Sequence, residues 1–155
     1  LWADDPFEHP LLRNLGPEPL AETFDGNYLR KRARSRRVSI KQFLMNPSVV
    51  VGIGNIYASE SLYVAHIHPK RKAGCIALHR IESLADAIKT VLSNAIDAGG
   101  TTLRDFHGSD GEPGYFQQQL KVYDRKDEPC LRCERPISMI VLGQRSTYYC
   151  KNCQQ

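Results

Sequence analysis

Four cysteines in two matched pairs constrain this chain more than any other feature. Cys130-Leu131-Arg132-Cys133 and Cys150-Lys151-Asn152-Cys153 are separated by sixteen residues. A two-residue gap lets both thiolates of one tight turn reach the same ion. Two such turns, joined by a hairpin-length segment, complete a tetrahedral four-sulfur zinc site. The linking segment has hairpin character: residues 137–142 are apolar and β-branched, Gly143-Gln144 can turn, and residues 145–149 return with two tyrosines. All four ligands come from protein, which leaves no open position for water or substrate, so one structural Zn2+ is expected. Two disulfides in a secreted chain are the competing arrangement. Paired C-x2-C turns fit metal geometry better than a disulfide framework. The carboxy-terminal segment therefore reads as a zinc ribbon.

Arg145 follows the expected turn, with Lys151 and Arg135 nearby in sequence. A metal-stapled hairpin with arginine at its apex can enter a nucleic-acid groove. An ordinary solvated turn arginine gives the same local sequence. The hairpin alone leaves both readings open.

The charge distribution bears on that choice. The formal net charge is +4, but it is unevenly spread. Asp4, Asp5, Glu8, Glu18, Glu22 and Asp25 face only Arg13 in the first 26 residues. From Tyr28 to Lys41 come Arg30, Lys31, Arg32, Arg34, Arg36, Arg37 and Lys41, with no acid. Apolar, patterned sequence follows at once, so the basic block lies on a folded element and reads as a phosphate-facing strip. No run approaches 18 apolar residues and no signal-peptide pattern is present, which excludes a membrane span and speaks against secretion. Cys75, the unpaired thiol, is expected as a small packed residue. A free cysteine beside zinc thiolates suits a reducing, cytoplasmic compartment.

At 155 residues the chain can bury one real core and carry a small metal module. It starts at Leu1, and Leu1–Ala3 reads like the end of an interrupted strand, so a fragment of a longer protein is expected. Residues 1–24 are proline-rich and read as an irregular connector. Asp25 can cap a helix over Gly26–Ala33, and Ser39 a short one over Ile40–Met45, stopped by Asn46-Pro47. A third helix should run from about Asn55 to Val64, and His66–Lys72 should be a loop. Leu78, Ile81, Leu84, Ala85, Ile88, Val91, Leu92, Ala95 and Ile96 recur at three- and four-residue steps, which predicts a long helix to about Ala98, ended by Gly99-Gly100. Lys121-Val122-Tyr123 is expected as a short strand leading into the ribbon. The fold expected is mainly α: a connector over 1–24, a helical domain over 25–120, and a small β-hairpin zinc ribbon over 121–155.

Gly52-Ile53-Gly54-Asn55 is a second chemical constellation. Two glycines before a helix let the backbone approach a phosphate, and the helix start offers free N–H groups and a favourable dipole. Asn55 adds an amide donor. A tight turn into a helix explains the same glycines. Together with the preceding short helix and its Lys41, the segment makes a helix–two-turns–helix arrangement suited to gripping one backbone phosphate.

Four runs together resemble bacterial formamidopyrimidine-DNA glycosylase: Val50-Val51-Gly52-Ile53-Gly54-Asn55-Ile56-Tyr57-Ala58-Ser59-Glu60-Ser61-Leu62, Gly99-Gly100-Thr101-Thr102-Leu103-Arg104-Asp105-Phe106, Asp110-Gly111-Glu112-Pro113-Gly114-Tyr115-Phe116, and the terminal zinc ribbon. The resemblance extends from the Leu15–Leu20 connector to Gln155. It implies a base-excision repair enzyme that removes oxidised purines such as 8-oxoguanine and formamidopyrimidines from double-stranded DNA, then nicks the strand by β- and δ-elimination.

The resemblance also implies roles. Lys41, Gly54 and Asn55 match the phosphate-binding helix–two-turns–helix, and Arg36 matches a basic DNA contact just before its second helix. Arg145 matches the hairpin arginine that binds phosphate beside the flipped nucleotide and serves δ-elimination. Ser109, Asp110, Gly111, Gly114 and Tyr115 match the loop that closes over the extruded base. Ser109 and Thr102 read equally well as ordinary loop and cap residues. Cys130, Cys133, Cys150 and Cys153 match the metal ligands. The family's nucleophile, an N-terminal proline amine, has no counterpart at Leu1. The resemblance thus implies the DNA-binding part of a glycosylase, inactive alone, whose partners are damaged duplex DNA and its own amino-terminal domain. Self-association through the face that domain would cover is also open. Two alternatives remain: the endonuclease VIII branch, which prefers oxidised pyrimidines, and a non-catalytic zinc-ribbon module binding nucleic acid or protein.

Overall fold

The computed structural model describes residues 15–97 and 120–155. Expectations for residues 1–14, the Gly99–Phe106 run with Thr102, and Ser109, Asp110, Gly111, Gly114 and Tyr115 of the proposed lesion loop lie outside the described residues.

Among the described residues four α-helices precede one hairpin, so the architecture is the mainly α arrangement with a terminal ribbon. Helix α1 (Gly26–Ala33) starts where expected: Asp25 is extended, and its Oδ1 accepts the Tyr28 amide at 2.8 Å. Helix α2 (Ile40–Leu44) is capped by Ser39, whose Oγ accepts the Gln42 amide at 3.2 Å. It stops one residue short of the expected end, with Met45 as C-cap. Helix α3 (Asn55–Val64) begins on Gly54 without any side-chain cap. A 3-10 turn (Ala73–Cys75) leads into the long helix α4 (Leu78–Asp97).

The main core forms where α1, α2 and α3 meet α4. Ile81, Leu84, Ala85, Ile88 and Leu92 supply the inner stripe of α4 against Phe24, Leu29, Phe43, Val50 and Leu62. Each such aliphatic side chain contributes about 1.5–3 kcal/mol by leaving water. The expected connector is partly docked: Leu15–Pro17 lies along residues 47–51, with Gly16 N–H on the Pro47 carbonyl at 2.8 Å and Val51 N–H on the Pro17 carbonyl at 3.1 Å.

Helix α3 is enclosed on nearly every side, which its weakly amphipathic sequence does not announce; Ser59, Glu60 and Ser61 are all buried. The carboxy-terminal module leans on it. Strands β1 (Ser138–Leu142) and β2 (Arg145–Tyr149) pair antiparallel, with Leu142 opposite Arg145 and Ser138 opposite Tyr149. Gly143 and Gln144 have φ of 56° and 65°, the two-residue turn whose twist matches paired strands. Gly143 suits this left-handed turn, and a Cβ there would lie 2.5 Å from Nε2 of the Gln42 side chain, whose mobile end would have to move.

Two expectations are corrected. Lys121-Val122-Tyr123 is not a strand. Its three successive N–H groups all turn onto the buried Glu60 carboxylate, at 2.8 to 3.1 Å. Strand geometry sends successive amides to opposite sides, so three convergent amides require a curled backbone. Cys75 is not packed inside but exposed, since the tight 3-10 turn directs Ala73 inward and leaves the thiol outside.

Candidate nucleic-acid interface and metal centre

The two C-x2-C turns bring four sulfurs into one cluster. All four Sγ atoms lie within 4.8 Å of one another. Cys130 and Cys153 are 3.8 Å apart, and Cys133 and Cys150 are 3.5 Å apart. A tetrahedron of Zn–S bonds near 2.3 Å has edges of about 3.8 Å, so the donor set and its spacing fit one zinc ion. Four thiols this close also conflict electrostatically. Burial raises Cys130, but hydrogen bonds from the Tyr63 hydroxyl and the Cys133 and Arg132 backbone outweigh it and hold the thiol at about 6. Cys153 is pushed up to about 12, by burial first and then by the neighbouring sulfurs. A divalent cation at the centre favours all four thiolates together.

The cluster is fastened to α3. The Tyr63 hydroxyl meets Cys130 Sγ at 3.1 Å, and the Arg132 guanidinium lies 4.3 Å from the Tyr63 ring centroid while donating to the Tyr63 carbonyl. On the other side, the Gln154 side chain accepts the Cys150 amide at 2.8 Å and donates to the Ile67 carbonyl at 2.9 Å. These contacts, with Glu60 below, set the direction in which the hairpin projects.

That direction brings the hairpin tip onto the glycine-rich turn. Lys41 from α2, Asn55 from the first turn of α3, and Arg145, Ser146 and Thr147 from β2 meet there. Lys41 Nζ donates to Asn55 Oδ1 and to Thr147 Oγ1, the latter at 2.9 Å. Asn55 Nδ2 donates to the Ser146 carbonyl at 2.8 Å. Arg145 stands exposed beside them. Its charge, after burial, is the second cause that holds the Lys41 ammonium down to about 8. No described carboxylate pairs with either cation.

The α3 N-terminus borders the same spot. Gly54 has extended backbone with negative φ, and a Cβ built on it meets nothing within 4 Å. Neither conformation nor packing among the described residues demands glycine there, and the bare backbone leaves room for a close approach from outside. Two unpaired cations, an uncapped helix N-terminus and a bare backbone make a site for an anion with several oxygens.

Sequence reasoning places Lys41, Gly54, Asn55 and Arg145 in one site, and the structure brings them together. Within the basic block Lys41 is set apart: it lies in the interior, with 0% of its surface exposed. Arg36 sits apart from the cluster, half-buried with its guanidinium 5.8 Å from the Phe43 ring centroid. Arg34 and Arg37 are exposed, and no residue of the strip forms an ion pair with a described residue. Three residues were missed: Thr147, Gln42 and Glu60. The alternation of β2, which puts 145, 147 and 149 on one face, is the signal that points to Thr147.

Comparison with known proteins agrees with this geometry. Residues 15–107 match the formamidopyrimidine-DNA glycosylase H2TH domain, and residues 127–155 match a zinc finger found in FPG and IleRS. The chain is 56% identical over 150 residues to formamidopyrimidine-DNA glycosylase of Nitrosococcus oceani, covering 97% of this chain and 55% of that protein. Among solved structures it resembles the Lactococcus lactis Fpg complex with abasic-site DNA, at 36% identity and a TM-score of 0.87, covering 98% of this chain and 56% of that one. A Lactococcus lactis Fpg complex with FAPY-dG DNA gives 34% identity, a TM-score of 0.86, and coverage of 98% and 55%. The chain thus spans just over half the length of the relatives it matches.

Proposed function

This chain belongs to the formamidopyrimidine-DNA glycosylase family, and on that footing we propose that it supplies the DNA-gripping part of a base-excision repair glycosylase and AP lyase for oxidised purines. The observation that carries the reading is the convergence of Lys41, Asn55 and Arg145 on the open N-terminus of α3. A phosphate held there faces two cations, the second N–H of the Asn55 amide and backbone amides at once. Such contacts position duplex DNA without reading its sequence. The solved relatives hold abasic-site and FAPY-dG DNA, which favours the purine branch over the endonuclease VIII branch. Family membership likewise disfavours a general zinc-ribbon module.

Within this reading Arg145 neutralises the phosphate beside the extruded nucleotide and assists δ-elimination. Arg36 and the exposed arginines of the strip extend the contact along the backbone. The loop with Ser109, Asp110, Gly111, Gly114 and Tyr115 closes over the extruded base. The zinc site is structural: its ligands hold the hairpin and take no part in the chemistry. The attacking amine and the protein partner of this half lie in the segment that the relatives carry beyond the stretch matched here. These 155 residues then bind without cleaving, and a copy lacking that partner can associate with itself. A cytoplasmic location suits a DNA-repair role. No helix among the described residues is long and apolar enough to cross a membrane.

The test is binding of the purified, zinc-loaded chain to a duplex with a tetrahydrofuran abasic analogue, titrated against salt. Salt-sensitive binding that weakens with Asn55→Ala or Arg145→Ala supports the reading. No binding by a folded chain refutes it, and turnover of an 8-oxoguanine duplex refutes the division of labour.

A further inference from the structure

We infer that Thr147 is a positioning residue for the phosphate site, tying the zinc hairpin to the Lys41 ammonium through its hydroxyl. The inference deepens the proposed function and rests on it for its DNA consequences.

Thr147 lies in the middle of β2, opposite Ile140, with 0% of its surface exposed. A buried mid-strand position favours a β-branched side chain, and valine would satisfy that preference without hiding a hydroxyl. Burying a hydroxyl is costly unless it is bonded. Here both of its capacities are used. Thr147 Oγ1 donates to the Arg145 carbonyl at 3.1 Å and accepts from Lys41 Nζ at 2.9 Å. Because its proton is committed to its own strand, the oxygen turns lone pairs toward the ammonium. One atom therefore links the backbone of the hairpin arginine to the buried lysine of α2.

Lys41 has three N–H donors and no acceptor. Asn55 takes one and Thr147 another. The ammonium is consequently held between α3 and β2, buried beneath the site, where its charge acts on an anion without being exposed. The groups facing it are Asn55 from α3, and Thr147 and Arg145 from β2. No described acid balances it. Without the hydroxyl, the ammonium loses a fixed acceptor beside a like charge. The protonated form becomes less favourable, and the site loses part of its pull on an anion.

Two measurements test this on the zinc-loaded full chain. The first follows the Lys41 Cε signal by NMR against pH, without DNA, in the parent, Thr147→Val and Thr147→Ser, with Lys41→Met for assignment. Loss of one hydrogen bond to a charged group should move the Lys41 midpoint down by about one pH unit in Thr147→Val. Thr147→Ser should stay within a few tenths of a unit. The second measures affinity for the tetrahydrofuran duplex at pH 7. It should fall about tenfold in Thr147→Val, with zinc content unchanged, and recover in Thr147→Ser. An unchanged Lys41 midpoint and affinity in folded Thr147→Val overturns the inference. A shift in Thr147→Ser comparable to that in Thr147→Val also overturns it, and that arm decides if Thr147→Val fails to fold. If the parent chain does not bind the duplex, the proposed function fails, and the DNA-free Lys41 titration still decides the role of Thr147.

Discussion

Replacing Glu60 by glutamine changes one atom and strikes the joint between the two parts of the molecule. Glu60 is 4% exposed, on a helix that the core encloses. Its carboxylate accepts the Lys121 amide through both oxygens and the Val122 and Tyr123 amides through one. An ionised carboxylate offers acceptor capacity at both oxygens, whereas a carboxamide offers it at one and presents a donor at the other. In Glu60→Gln the amide nitrogen takes the place of the oxygen that only Lys121 meets, so that one contact is lost and the other three no longer involve a charge. Taking about 1 kcal/mol for each of the three bonds that lose their charge assistance gives about 3 kcal/mol. In a chain of this size that lowers the melting temperature by about 6–12 °C. The damage should be local. Amide exchange should speed up at residues 121–123 and at the ribbon base, while α4 keeps its protection. Zinc should stay bound, and affinity for the tetrahydrofuran duplex should fall because the hairpin no longer projects at a fixed angle. A melting temperature within 2 °C of the parent, with unchanged protection at 121–123, would show that the three amides do not depend on the charge, and the account of the joint would be wrong.

Other consequences follow from the same geometry. Arg145→Ala should leave folding and zinc content unchanged, because the side chain is exposed, and should reduce the salt slope of DNA binding by about 0.9 for one phosphate contact; an unchanged slope would place Arg145 off the phosphate. The parent slope itself should lie near −4 to −5 on a log–log plot if about four to six phosphates are neutralised. Lys41 links stability and binding to pH in opposite directions. Its pKa in the folded chain is about 8, below the ordinary lysine value of 10.5, so the unfolded chain binds more protons between those values and stability rises with pH there. DNA affinity should fall over the same interval as the ammonium is lost; Lys41→Met should abolish both trends, as chemical denaturation and binding at pH 7 and 9.5 would reveal. Removing zinc with a chelator should collapse DNA affinity while helical circular dichroism is largely kept. Loss of the helical signal in parallel would mean that the ribbon supports the helical core rather than the phosphate site.

Much of this protein was legible in its residues. The helix starts at Asp25 and Ser39 were readable because a cap is a local event, one side chain and an amide three residues on. The hairpin and its cysteines were equally local, since spacing within a turn decides whether two sulfurs reach one ion. Lys41, Asn55 and Arg145 were recognisable as candidates from motif and resemblance.

What packs around them was not. Lys41 reads as one more base in a phosphate-facing strip, yet it is buried, because the ribbon folds back across more than a hundred residues of chain to cover it. Nothing local marks Glu60 out, and it is the acceptor for a backbone stretch sixty residues on. Cys75 looks like a packing residue and is outside. For Lys41 and Glu60 the deciding partner is distant in sequence, and no local propensity encodes it. Composition and spacing alone determined the helices, the hairpin and where a metal can sit. Tertiary structure decided which charges lose their water and which hydroxyl holds the lysine, because desolvation depends on what packs against a group rather than on its neighbours along the chain.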